Sequence, residues 1–381
     1  MTMNRETYPT WALMHKEYPK ALDFLDETRV ILPYTKKDTI KNSISPPASI
    51  EIHPTNICQL KCSFCYYRNF VQEESIPLNT MLTLIDDLHT MGVKAVIISG
   101  GGEPLLYPHI KTVIKSIAVK GISLGINTNG IALSASIVED LLRCNWIKIS
   151  IDAATASSYS SMKNCQEETF NKVVSNLRLL VEKRNKTQSM LRIQLGFIIN
   201  KQNWHEIIPF MEMFQDWPLD FSKDSLLFRP VIGKFFDVDA HEVEELIDEN
   251  IDYIKNYPFP NTLLHYLERR RNIEKSPKSF KCRVLSLISC VGADSRVYPC
   301  CQLALQGKYA LDSLKEKKIS DIWNSMPYIT CRNNTKVNGH PPCKYRNMNY
   351  ILDEYSRCNI ETCQQCISEV DKRWHDKAIF I

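Results

Sequence analysis

The sequence predicts an α/β protein: a parallel sheet of six βα units with its helices outside, followed by a cysteine-rich C-terminal unit. Six short apolar runs, rich in β-branched residues except the last, read as strands, at Ile50–His53, Ala95–Ser99, Ile122–Asn127, Trp146–Ile151, Leu191–Ile199 and Leu226–Arg229. Helical patterns lie between them, clearest at Phe170, Val173, Val174, Leu177, Leu180 and Val181, which keep the 3.6-residue period. Nine of the fourteen cysteines fall from Cys282 onward. Successive βα units make a parallel sheet by the right-handed crossover rule, and six are too few to close an eight-stranded barrel.

Composition bounds the function. At 381 residues, 44% apolar and 24% charged, the chain can bury a full core and make more than one domain. A net charge of +4 is too slight to argue for nucleic acid or an anionic membrane as partner. No apolar run reaches membrane-spanning length and the first residues carry no signal-peptide core, which predicts a cytoplasmic protein. Without an export signal, fourteen cysteines point to metal or thiolate chemistry rather than disulfides. Cys144 and Cys165 stand apart from the others and read as ordinary small buried or half-buried residues.

In chain order, residues 1–48 lack a strong period up to the Pro46-Pro47 break and read as a helical lead-in or cap. The core, residues 49–267, opens with a strand that runs into Cys58-Gln-Leu-Lys-Cys62-Ser-Phe-Cys65. Thiols spaced x3 and x2 can each bind a different iron of one [4Fe–4S] cube, leaving the fourth iron open for chemistry. A zinc site completed by His53 or a distant cysteine would use similar spacings. The second strand breaks into Gly100-Gly101-Gly102-Glu103-Pro104, where glycines let the backbone come close to a ligand and Glu103 or nearby carbonyls could accept from an ammonium group. Strand ends are where α/β folds place ligands. Asn127-Thr128-Asn129-Gly130 ends the third strand and Ser150-Ile151-Asp152-Ala153 the fourth, with a plain turn at Asn129 and a helix N-cap at Asp152 as the simpler readings. Arg229 ends the sixth strand, as a carboxylate ligand or a rim salt bridge. A helix follows around 241–257. Residues 268–281, with three consecutive arginines, read as a solvated linker to the C-terminal unit, 282–381.

In that unit Val291–Cys300 reads as a hairpin turning near Asp294-Ser295, which carries a thiol back beside Cys282. A capped helix starts near Ile319, and Cys363-x2-Cys366 closes the cysteine series. Structural zinc is the simpler reading of such pairs.

The cysteine loop, with Phe64 as its aromatic residue, and the downstream Gly101-Gly102-Glu103-Pro104 together resemble the radical S-adenosylmethionine (SAM) superfamily. The resemblance implies an open, partial (β/α)6 TIM-like barrel with cluster and SAM at its top. Cys58, Cys62 and Cys65 would hold the SAM-binding [4Fe–4S] cluster, and Gly100–Pro104 the methionine amino group. Thr128, Asn129, Ser150 and Asp152 would approach the ribose and carboxylate, with Arg229 near the SAM or substrate carboxylate. The C-terminal unit resembles the auxiliary-cluster domains called SPASM and, in the single-cluster form, twitch. Cys282, Cys300, Cys363 and Cys366 would hold an auxiliary [4Fe–4S] cluster, and a second cluster would draw on Cys290, Cys343 and Cys358. Ser295 stands where that pattern expects glycine.

The resemblance implies an enzyme, a radical SAM oxidoreductase supplied by an external one-electron reductant of the flavodoxin or ferredoxin type. It would cleave SAM reductively to a 5′-deoxyadenosyl radical that removes a substrate hydrogen, and the auxiliary cluster would accept the remaining electron. The substrate expected is a small polar metabolite, such as a sugar or aminocyclitol, because 48 residues are few for the leader-recognition domain of a peptide modifier. Modification of a ribosomal peptide is the alternative reading, and a non-catalytic iron–sulfur carrier the alternative of another class.

Overall fold

A computed structural model describes residues 46–67, 73–220, 222–231, 238–259, 261–263, 279–304 and 309–338, with residues 345 and 349. Most of the 1–48 lead-in and of the 268–281 linker lies outside the described residues, as do Cys343, Cys358, Cys363 and Cys366.

The six expected strands form: β1 (Ser49–Ile52), β2 (Ala95–Ile98), β3 (Ser123–Thr128), β4 (Trp146–Ser150), β5 (Arg192–Ile199) and β6 (Ser225–Pro230). They lie side by side in chain order and every neighbouring pair is parallel. Helices α1 (Leu78–Met91), α2 (Ile110–Val119), α3 (Ala135–Leu141), α4 (Ala156–Lys163), α5 (Glu168–Thr187) and α6 (Ile207–Phe214) return the chain between strands. This is the open α/β arrangement that six βα units give, with both edges of the six-strand set unclosed on each other.

Strand alternation divides the sheet into two faces. Ile50, Ile52, Val96, Ile98, Leu124, Ile126, Ile147, Ile149, Leu195 and Phe197 join Leu84, Leu88, Val113, Ile117, Leu177 and Val181 of the helices in one buried core. Each such side chain contributes about 1.5–3 kcal/mol on burial. The alternate positions include Glu51, Asn127, Lys148, Gln194 and Arg229 beside Ile97, Ile198 and Leu227, so the concave face mixes charged and polar with apolar side chains. Trp146 fills its lower end. A Cβ on Gly125 would sit 2.0 Å from the indole, so this strand position admits only glycine.

The helix expected around 241–257 is two, α7 (Ala240–Glu249) and α8 (Ile251–Asn256). Asn250 separates them at φ −113° and ψ 17°, outside helical geometry.

Downstream come β7 (Ser279–Lys281), β8 (Ile288–Val291), β9 (Arg296–Tyr298), β10 (Asp312–Ser313) and β11 (Lys336–Asn338). β8 pairs in parallel with β1, from Ser49 opposite Ile288 to Ile52 opposite Val291. The C-terminal hairpin therefore continues the core sheet, which reaches nine strands in the order β10-β9-β8-β1-β2-β3-β4-β5-β6. β7 and β11 make a separate antiparallel ribbon. In the β8–β9 turn Ser295 sits at φ 66°, a left-handed conformation that favours glycine. The backbone there has the shape expected of glycine although the side chain is serine.

Candidate functional site

The cysteine loop leaves the top of β1 and is pinned before its first thiol. His53 N donates to Val291 O, Asn56 N to Glu74 O, and Ile57 N to the Thr55 hydroxyl. The glycine segment then lies directly against it. Glu103 N donates to Ile57 O at 2.8 Å. A Cβ on Gly102 would stand 2.3 Å from Ile57 O, and one on Gly101 2.6 Å from Asn56 Oδ1. Gly100 takes φ 137° beside His53. The close approach these glycines permit is thus to the cysteine loop's own backbone.

Glu103 is 2% exposed and its carboxylate is already engaged. Oε1 accepts from Leu105 N at 3.0 Å and from the Thr128 hydroxyl at 2.6 Å, while Oε2 accepts from Asn129 N at 2.7 Å. Burial pushes its carboxyl above the usual range, against the pull of these three donors. Glu103 therefore ties the end of β2 to the end of β3, and leaves an approaching ammonium the carbonyls nearby. Asn129 carries the chain of contacts on. Its Nδ2 lies 3.9 Å from Cys58 Sγ, and its Oδ1 accepts from Ile131 N and from Gln59 Nε2.

At the end of β4 the helix cap falls on Thr155, whose hydroxyl accepts from Ser158 N. Asp152 is no cap. It takes φ 63° and is 1% exposed; Oδ1 accepts from Ile198 N at 2.8 Å, and Oδ2 pairs with Lys163 Nζ at 2.6 Å. Lys163 also donates to Ser150 O at 2.9 Å. This buried pair lies behind the cysteine loop, where Ser63 N donates to Met162 O and Lys61 N to Lys163 O. Phe64 packs on the core with its ring centre 5.8 Å from Lys163 Nζ.

Cys58 is exposed while Cys62 and Cys65 are half-buried. Burial pushes the Cys62 thiol up to about 12; Lys163 opposes this, whereas Cys58 and Cys65 add to it. Three thiols that feel one another, with an amide N–H beside one and a buried ammonium behind, fit an iron–sulfur cube: the soft donors are present and the surrounding groups offset their negative charge. Among the described residues no three His, Cys, Asp or Glu side chains are grouped to hold a single metal ion.

The structure therefore joins Cys58, Cys62, Phe64, Gly100–Glu103, Thr128, Asn129, Ser150 and Asp152 on one rim. Arg229 lies on the concave face at the end of β6, beyond β5, half-buried. Sequence reasoning missed Lys163, since a lysine closing a serine-rich helix carries no local sign of burial.

In the C-terminal region Cys282 is buried with Phe280 and Leu285, and Cys300 and Cys331 pack against them. Cys282 N donates to Thr335 O, at the end of helix α11 (Met326–Asn334), which follows the short helices α9 (Cys301–Ala304) and α10 (Ile319–Trp323). Cys331 is not among the expected ligands; only the folded chain, which places it one turn before β11, brings it to Cys282. Cys290 and Cys301 pack instead around Tyr298, and Cys290 Sγ lies 3.6 Å from His53 Nε2. Cys363 and Cys366 fall outside the described residues.

A model described as the radical SAM superfamily matches residues 52–214, and one described as an iron–sulfur cluster-binding domain, SPASM, matches residues 282–367. The tungsten-containing aldehyde ferredoxin oxidoreductase cofactor-modifying protein of Pyrococcus furiosus is 21% identical over 82% of this chain and 92% of its own. An S-adenosylmethionine-dependent nucleotide dehydratase of Selenomonas ruminantium is 27% identical over 41% of this chain and 58% of its own. Among solved structures, Streptococcus suis SuiB bound to S-adenosylmethionine superposes with TM-score 0.58 at 18% identity, covering 76% of this chain and 68% of that one. The structure of native anSMEcpe with bound AdoMet gives 0.55 at 16% identity, covering 86% and 96%.

Proposed function

Since this chain belongs to the radical SAM superfamily and carries a SPASM iron–sulfur cluster-binding domain, we propose that it oxidises a small polar metabolite by two electrons. When bound, the open-sited cluster and SAM supply a 5′-deoxyadenosyl radical, and the auxiliary cluster an electron acceptor. The chain's own residues do the rest. Cys58, Cys62 and Cys65 would hold the first cube; the Glu103, Thr128 and Asn129 network fixes the strand ends against which SAM would lie; and the auxiliary cube would take Cys282 and Cys300, with Cys363 and Cys366.

The observation that carries the substrate class is the concave face. Asn127, which donates to Ser99, and Lys148, Gln194 and Arg229 lie on this face above Trp146, with Ile97, Ile198 and Leu227 between them, a mixed lining that supports a small polar molecule with some apolar surface. The Pyrococcus relative, matched over most of both chains, is by its name a cofactor-modifying protein, and the Selenomonas relative is by its name a nucleotide dehydratase, which supports the reading.

The test is anaerobic turnover with SAM, dithionite and a library of sugars, nucleotides and aminocyclitols. A substrate of this class should raise 5′-deoxyadenosine formation and yield a product two hydrogens lighter at one 5′-deoxyadenosine each. Stimulation by a peptide alone would replace this reading with peptide modification. A product of unchanged mass would make the reaction an epimerisation.

A further inference from the structure

Lys163 is a buried charged group that the sequence motifs do not account for. Cations this deeply buried are rare unless paired, and this one is 2% exposed. Its partner Asp152 is held from the far side: Oδ1 takes Ile198 N, and the Asp152 carbonyl takes Asn203 Nδ2 at 2.8 Å. The carboxylate therefore points back to β5 while the ammonium stands between it and the cysteine loop. Two contacts tie that loop to the lysine, Lys61 N on Lys163 O and the Phe64 ring 5.8 Å from Nζ, and a third, Ser63 N on Met162 O, ties it to the residue before. The Tyr159 ring closes another side at 5.3 Å. At the Cys62 thiol the pull of the ammonium outweighs the opposing influence of the carboxylate.

We propose that the Lys163–Asp152 pair is a built-in electrostatic device that makes the loop cluster easier to reduce. The inference rests on the loop holding a [4Fe–4S] cube, as set out above. Uptake of one electron from an external low-potential donor, dithionite in the assay, adds one negative charge to a cube already surrounded by thiolates. A fixed ammonium in a low-dielectric setting stabilises the added charge, and the carboxylate, being farther, offsets only part of it. Lys163 is a positioning residue in this scheme: it touches neither SAM nor substrate, and its effect passes through Cys62. A purely structural ion pair would hold the fold and leave the redox couple unchanged.

The decisive experiment is an EPR-monitored redox titration of the anaerobically reconstituted full chain. The loop cluster is followed through the change its spectrum makes on SAM addition. Lys163→Met should lower the reduced-to-oxidised ratio at fixed poise about tenfold, which is 59 mV for one electron. Lys163→Arg should hold the wild-type ratio. Asp152→Asn should raise it, because the cation stays and the anion goes. Where Lys163→Met fails to fold, the double variant Asp152→Asn/Lys163→Met, which leaves no unpaired charge, takes its place and should still show the lowered ratio. Full iron content and SAM binding with unchanged midpoints in Asp152→Asn and in whichever lysine variant folds would overturn the proposal. Absence of any SAM-responsive EPR signal in the wild type would instead overturn the function from which it starts.

Discussion

The two cysteine regions are built by opposite means. Around Cys58–Cys65 the protein surrounds its thiols with polar structure that is complete in itself: the Glu103 network, the Asp152–Lys163 pair and the Asn129 amide. Around Cys282, Cys300 and Cys331 the described surroundings include an apolar cluster with Phe280 and Leu285, on short strands and a single helix end. Buried polar networks, once satisfied, rigidify their surroundings, whereas a small apolar cluster with thiols gains much of its stability from a bound metal centre. From this contrast we infer that the first rim is organised before any cofactor binds and that a bound cube would organise the second region.

The largest effect expected is on chemistry. Replacing Cys58, Cys62 and Cys65 together by alanine should abolish SAM cleavage and remove about half of about eight irons, the content of two cubes. Iron analysis and 5′-deoxyadenosine assay would show it, and full iron retention would erase the distinction between the regions. Next in size is hydrogen exchange with and without iron. Chelation should raise exchange far more over 279–338 than at the ends of β2, β3 and β4. Equal loss in both would break the contrast.

Smaller effects sharpen it. Gly102→Val places a branched side chain against Ile57 O and Asn56 C, both backbone, so the loop itself must move. Iron at the loop site should fall together with SAM affinity, while the C-terminal iron stays; loss of SAM affinity alone would mean that the glycine serves the ligand. Glu103→Gln leaves one of its donors facing an amide, at a cost of about 1–3 kcal/mol, read as a lower Tm with C-terminal iron unaffected. Smallest is a pH effect. Because burial raises the Cys62 thiol from 9.0 to about 12, the iron-free protein should hold its stability below pH 9.0 and lose part of it as pH rises toward about 12. Iron loading, which binds the thiolate, should remove that loss. Melting curves of both forms across this range would test it.

Much of the fold was legible in the sequence because it depends on short-range pattern. Each core strand but β6, which reads Ser-Leu-Leu-Phe-Arg-Pro, carries its own β-branched residues, and α5 keeps a period that Val173, Leu177 and Val181 reveal. The cysteine loop and Gly100–Pro104 were legible for the same reason, being contiguous. What the glycines are for was not, since Ile57 O and Gly102 meet only after β1 and β2 pair. Asp152 resembled a helix cap by its spacing to Ala153; it takes a left-handed conformation that Asp tolerates as it does a cap, so residue type alone does not tell the two apart. The joining of the C-terminal hairpin to β1 was hidden likewise. Strand partners far apart in the chain, such as Ser49 and Ile288, share no local pattern.

The central claim is that the rim joining Cys58–Cys65 to Gly100–Asn129 is a SAM-cleaving centre. It is tested most directly by anaerobic incubation of the reconstituted chain with SAM and dithionite, beside the variant lacking Cys58, Cys62 and Cys65. The account predicts 5′-deoxyadenosine and methionine in equal amounts from the wild type and neither from the variant. No 5′-deoxyadenosine from an iron-replete wild type, with or without added substrates, would contradict it and favour an iron–sulfur electron carrier.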